Sequence, residues 1–167
     1  MNNLYHTDHH KWLTQQLALL ANKEFDKLDL DNLLEELELS IDDKIRELKR
    51  RLRTLIAHLL KCDYQTTILK DACNNHFVKK WLGTIKRTRI DIVDLFEKNH
   101  SLKNYVKETM VKAYQEAKEE AIDGMNIHAR NAYTPLDDNS FPDTCPWSFE
   151  QIMETEWYPL NGVSLDD

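Results

Sequence analysis

The sequence predicts an all-α fold: a helical bundle with one long central helix and a C-terminal tail rich in proline and aromatic residues packed on it. Three observations carry this. Apolar residues recur at steps of three and four over long stretches, which is the helical period. No alternating run bounded by turn residues, the signature of a half-buried strand, stands out anywhere in the chain. Glycine is scarce: the 167 residues hold only 3, at Gly83, Gly124 and Gly162, against an average usage of about 7%.

Taken in order, Thr7 reads as an N-cap with Asp8 in the first turn, and Leu13, Leu17 and Leu20 give residues 8 to 22 an apolar side. Phe25 and Leu28 anchor a short connection. From Leu30 the pattern is regular: Leu30, Leu33, Leu37, Ile41, Ile45, Leu48, Leu52, Leu55 and Leu59 keep one helix face for about eight turns. Ser40 is the one point at which this helix, 31 to 62, could break. After a less regular stretch, Asp63 to Asn75, a third helix carries Phe77, Trp81, Ile85, Ile92 and Phe96 and ends near Asn99. Ser101 is then expected to cap a fourth helix, along which Ala113, Ala117 and Ala121 permit close approach to a neighbour. The tail contains Pro135, Pro142 and Pro146, and Ser148 with Gln151 forms a capping box for a last helix from Phe149 to about Thr155. The expected organisation is a single domain over 1–167, with the bundle core at 4–130 and an extension with one short helix at 131–167.

Glycine scarcity excludes the glycine-cluster phosphate cradles, because a P-loop or a dinucleotide fingerprint needs several close glycines for backbone approach. The three cysteines, Cys62, Cys73 and Cys145, form no C-x-x-C pair, so neither a disulfide framework nor a zinc knuckle is written here. No apolar run approaches the roughly 18 residues of a membrane span, and Met1 to His10 is polar, so the cytoplasm is the expected compartment and no membrane is involved.

The net charge of −7 is strongly polarised. Residues 24 to 43 carry nine acidic side chains against Lys27, a net −8; residues 44 to 61 carry seven basic ones, Arg46, Arg50 and Arg53 among them, against Glu47, a net +6. The order matches the helix dipole. It also suits an antiparallel partner, so a protein partner or a homo-oligomer is expected.

Along the chain stand, in order, Leu28-Asp29-Leu30-Asp31-Asn32-Leu33-Leu34-Glu35-Glu36, Arg46-Glu47-Leu48 through Arg53, Leu55-Ile56-Ala57-His58-Leu59-Leu60-Lys61, Trp81 with Thr84-Ile85 and Arg89, Ala113-Tyr114, and Phe141-Pro142 with Cys145-Pro146. In this order the blocks resemble a bacterial family catalogued as domain of unknown function twenty-nine. The similarity runs from about Tyr5 to Pro159. It implies an all-helical bacterial protein and supplies no catalytic residues.

Four groups could carry chemistry. Arg53 and His58 resemble the Arg-x4-His signature of the all-α HEPN ribonucleases, in which histidine moves a proton while arginine stabilises a phosphorane, with no metal. His58 also lies beside the apolar stripe, where a packing histidine is the commoner outcome. Glu35, Glu36, Glu120 and Asp123 resemble the carboxylates that hold Mg2+ in all-α nucleotide pyrophosphatases, although that family's close spacing is missing. His6 and His10 stand at i, i+4 and could share a metal. Lys79, Lys80 and Arg89 surround Trp81, a pattern that can stack a single-stranded base, although Trp81 belongs by spacing with the core residue Ile85. The favoured reading is a non-catalytic interaction or regulatory module without cofactor, its interaction candidates being Arg46, Arg50, Arg53, Lys79, Lys80, Trp81 and Arg89. Ribonuclease-like or Mg2+-dependent nucleotide hydrolysis is the alternative, and nucleic acid is a possible but less favoured partner.

Overall fold

A computed structural model describes residues 4–129 and 133–165. Its helices are α1 (Leu4–Thr7), α2 (His9–Ala21), α3 (Leu30–Tyr64), α4 (Asn75–Lys98), α5 (Val106–Ala129) and α6 (Phe149–Met153), and there is no strand among the described residues. The all-α expectation and the long helix hold. Ser40 does not interrupt α3. The expected junction at 130/131 lies outside the described residues. The chain groups into two compact units, residues 1–43 and residues 44–167, and α3 supplies residues to both.

The first unit is built around Trp12 and Gln16, its two buried α2 side chains. Asp8, not Thr7, caps α2: its carboxylate accepts from Lys11 N at 3.0 Å, while Thr7 closes the preceding turn, α1. A carboxylate at this position satisfies an orphan N–H and also meets the positive end of the helix dipole. At the other end, Lys23 N donates to Leu20 O and Glu24 N to Leu19 O, the paired reverse bonds of a Schellman end, with Lys23 at φ 61°. The start of α3 is tied back to α2 by one residue. Asp29 takes the Trp12 indole N–H at 3.0 Å and Asn32 Nδ2 at 2.7 Å, and its own N–H donates to Gln16 Oε1 at 2.9 Å. These bonds, Asn32 first and Trp12 second, hold the Asp29 carboxyl below its ordinary range.

The second unit has the larger core. Leu48, Leu52, Leu55, Ile56 and Leu59 of α3 are fully buried against Val78, Ile85 and Ile92 of α4 and Ala113, Ala117 and Ala121 of α5. The three alanines at i, i+4 spacing let α5 lie close, as their pattern predicts. Ion pairs flank this core: Arg51 to Asp91 of α4 at 2.9 Å, and Lys49 to Glu116 of α5 at 2.8 Å. After Tyr64 the chain widens into a π turn, Gln65–Leu69, and stops where Lys70 turns left-handed at φ 52°.

Ser101 does not cap a helix. Residues His100–Tyr105 wind as a tight 3-10 stretch and α5 begins only at Val106. The tight turns seat Leu102, which is buried in the core cluster, and its N–H donates to Asn99 O. The tail packs as expected. Phe141 and Ile152 enter the same core, and the Phe141 ring meets Tyr64 edge-on at 5.6 Å. Ser148 caps α6 by accepting from Gln151 N, but the helix ends at Met153 rather than near Thr155. A reciprocal capping box is found instead at Asp137 and Ser140, which close a 3-10 turn.

Candidate functional site

The two ends of α3 differ in what covers them. From Leu48 onward the apolar face is sealed, whereas in the first unit Leu30, Leu34, Leu37 and Ile41 are each 58 to 62% exposed. At 100° per residue these four fall within a narrow arc of the helix. Asp31, Glu35, Glu38 and Asp42 follow each of them by one residue, so a second exposed stripe, wholly acidic, runs alongside the first. On α2, Leu13, Leu17 and Leu20 are also exposed, at the same i, i+4, i+7 spacing. Isolated surface leucines need no explanation, but ordered stripes on two helices of one small unit do.

Arg53 and His58 have different partners. Arg53 reaches across to α5, with Nη1 at 3.4 Å from Glu116 and Nε at 3.2 Å from Glu120. The Nε is buried and lies out of line for a hydrogen bond, so the Glu120 contact is an ion pair alone. Glu120, expected among the metal carboxylates, is thus an arginine partner. His58 Nδ1 lies 2.8 Å from the Thr54 carbonyl of its own helix. Because a carbonyl only accepts, Nδ1 carries the proton. Burial, reinforced by the Lys61 charge, pushes the ring down to about 4. A neutral imidazole bonded one turn back, and an arginine occupied by two carboxylates, tie α3 internally and to α5.

The basic surroundings of Trp81 separate in the same way. Lys79 and Lys80 are exposed. Arg89 is not: it is 5% exposed, with Nε donating to Ile152 O at 2.7 Å, Nη1 to Thr155 O at 3.2 Å and Nη2 to Trp157 O at 2.7 Å. It clamps the tail instead of sharing a surface patch with the lysines. Trp81 is half-buried, and the cation over its ring is Lys61, 5.1 Å from the centroid. Arg46 and Arg50 are exposed on α3.

The remaining candidates are dispersed. His6 packs edge-on against Tyr5, and His10 is exposed, its carbonyl accepting from Thr14 Oγ1. Glu36 takes His9 Nε2 at 2.8 Å, which lowers its carboxyl, with Tyr5 as the second cause. Glu35 and Glu36 belong to the first unit, Glu120 and Asp123 to the second. Among the described residues no group of three His, Cys, Asp or Glu side chains comes together that could hold a metal ion. Nor is any described helix long and apolar enough to cross a membrane.

Compared with known families, residues 4–158 match the model of the domain of unknown function DUF29. The chain belongs to the DUF29 family. No curated protein and no solved structure matches it.

This DUF29 chain also has a feature outside all the sequence-derived candidates. In the second unit an open apolar groove of about 850 Å³ is lined from α4, α5 and the approach to α6. Val93 and Val111 are apolar residues outside the core stripes of their helices, 46% and 66% exposed, and they line it. Leftover valines of this kind were the available signal. Their meeting with Trp147 and Phe149 is a product of the tertiary fold.

Proposed function

We propose that this DUF29 chain is a non-catalytic interaction module whose first unit docks a basic amphipathic helix of a partner protein. The observation that carries it is the pair of parallel stripes on α3: Leu30, Leu34, Leu37 and Ile41 exposed, with Asp31, Glu35, Glu38 and Asp42 beside them. A partner helix with leucines at the same spacing and lysines or arginines along one flank would bury the first stripe and neutralise the second. Charge favours such a helix over a second copy of the chain as the occupant. Paired through the same face, two acidic stripes would repel. An antiparallel copy would find Lys44, Arg46 and Arg50 exposed on the basic half of α3, but Lys49, Arg51 and Arg53 there are already ion-paired to Glu116, Asp91 and Glu120.

The test is the binding of a fluorescent, helix-forming Leu/Lys peptide to the full chain, followed by anisotropy and accompanied by sedimentation velocity. Saturable binding is expected, weakened about tenfold or more by Leu34→Asp with Leu37→Asp, and weakened by salt as screening shortens the reach of the acidic stripe. Equal affinity for the doubly substituted chain would overturn the reading. So would a dimer whose formation the same two substitutions abolish, since the second copy would then be the occupant.

A further inference from the structure

The groove of the second unit is a surface cleft and not a void left by core packing, where voids are few and about the size of a water molecule. Its volume of about 850 Å³ falls within the roughly 300 to 1,000 Å³ that small-molecule sites occupy. The walls are apolar and aromatic: Val93 and Phe96 from α4, Val111 from α5, and Trp147, Phe149 and Met153 from α6 and the turn before it. Its charged lining is unequal. Lys103 of the 3-10 stretch and Lys107 of the first turn of α5, four residues apart, stand against Glu150 as the one acidic lining residue among the described residues. The Lys103 ammonium lies 6.0 Å from the Phe96 ring centroid, which places cationic charge directly over the apolar wall. The positive end of the α5 dipole adds to the same potential.

An apolar trough with two lysines and one glutamate in its lining matches a molecule with an apolar body and one anionic end. We propose that this groove binds a long-chain carboxylate, with its hydrocarbon body along Phe96, Val111, Trp147 and Phe149 and its carboxylate at Lys103 and Lys107. The site lies wholly within the second unit, so it is independent of partner docking by the first. The binding is non-covalent. Cys145 lines the same groove as a half-buried thiol, and burial raises its pKa, which keeps it protonated rather than nucleophilic.

The experiment is titration of the full chain with octanoate, decanoate and dodecanoate, each below its micelle-forming concentration, read by calorimetry and by tryptophan fluorescence. One saturable site is expected, tightening by up to about fourfold per added methylene until the groove is filled. Decyltrimethylammonium, with the same body and the opposite charge, should bind about tenfold more weakly than decanoate. Lys103→Glu with Lys107→Glu should weaken decanoate by about tenfold and leave the far-UV spectrum unchanged, since both side chains are exposed. Val93→Asp with Val111→Asp should remove binding at equally exposed positions. The proposal is overturned if no carboxylate saturates the chain, or if affinity does not depend on chain length. It is equally overturned if both pairs of substitutions leave binding intact, or if the chain binds anionic phospholipid vesicles but no dispersed carboxylate.

Discussion

The Arg89 guanidinium donates to the Trp157 carbonyl at 2.7 Å, holding a residue of α4 to one that lies 68 positions further along the chain. Two further donations, to Ile152 O and Thr155 O, make Arg89 a three-bond polar tie between the bundle and its tail, and the Tyr158 ring lies 5.1 Å from the guanidinium carbon. Replacing Arg89 by alanine removes all three bonds and leaves buried Ile152 O without its donor. A loss of about 3 kcal/mol or more is expected, because hydrogen bonds from a charged donor to buried acceptors are each worth about 1.5–3 kcal/mol. Chemical denaturation measures it. Arg89→Lys should recover only part of the loss, since an ammonium cannot reproduce the planar fork. A change within 1 kcal/mol for Arg89→Ala would mean that packing and the other tail bonds, such as Tyr114 to Pro142 O and Thr66 to Pro159 O, hold the tail without it.

His58 makes stability depend on pH in a defined window. Burial depresses its folded-state pKa to about 4 from an ordinary 6.5. Between these values the unfolded chain binds a proton that the native chain does not, so stability rises with pH. The contribution is complete above about 6.5 and is lost as the pH falls toward 4. His58→Gln retains a donor for the Thr54 carbonyl and has no titration of its own. Thermal melts from pH 7 to 4 should therefore fall less steeply for the variant than for the native chain. Identical slopes would show that His58 titrates at its ordinary value.

Much of this was legible in the sequence, and the rest fails for physical reasons. The step pattern from Leu30 to Leu59 locates the apolar face of α3 correctly, but periodicity says which side is apolar and not what covers it. Hence the same register is sealed at Leu48 and open at Leu37. Arg89 stands at i+4 from Ile85 and i−3 from Ile92, both fully buried, so its inward direction was written in the spacing. Its basic character drew it into a surface patch instead. The Trp12 to Asp29 bond and the Arg53 to Glu120 pair join residues with no local relation, and no window on the sequence contains them.

The three thiols should differ widely in reactivity. Cys73 is exposed, Cys145 half-buried with a raised pKa, and Cys62 fully buried and pushed up to about 12, in each of the latter two because burial penalises the thiolate. Only thiolate attacks a disulfide reagent. With an aromatic disulfide at pH 8, one thiol is expected to react rapidly, one slowly, and the third only on unfolding. Cys73→Ser should remove the rapid phase alone. Rapid labelling of Cys62 in the native chain would show that the core opens freely around α3.

The scarcity of glycine leaves a stability reserve that two opposite substitutions can expose. Lys23 ends α2 at φ 61°, in the left-handed region where a side chain costs about 1–2 kcal/mol and glycine nothing. Its backbone bonds to Leu20 O and Glu24's bond to Leu19 O do not involve the lysine side chain, so Lys23→Gly should slow amide exchange at the end of α2 by an amount equivalent to about 1 kcal/mol. Gly83 is the converse case. It lies inside α4 in an ordinary helical conformation, and a Cβ there would meet nothing within 4 Å. Alanine is favoured over glycine in a helix interior by about 1 kcal/mol, so Gly83→Ala should raise the melting temperature by a few degrees. Stabilisation by both would show that glycine stands in this chain where a helix has no use for it and is missing where the backbone asks for it. A destabilising Gly83→Ala would instead reveal a close neighbour on that face of α4.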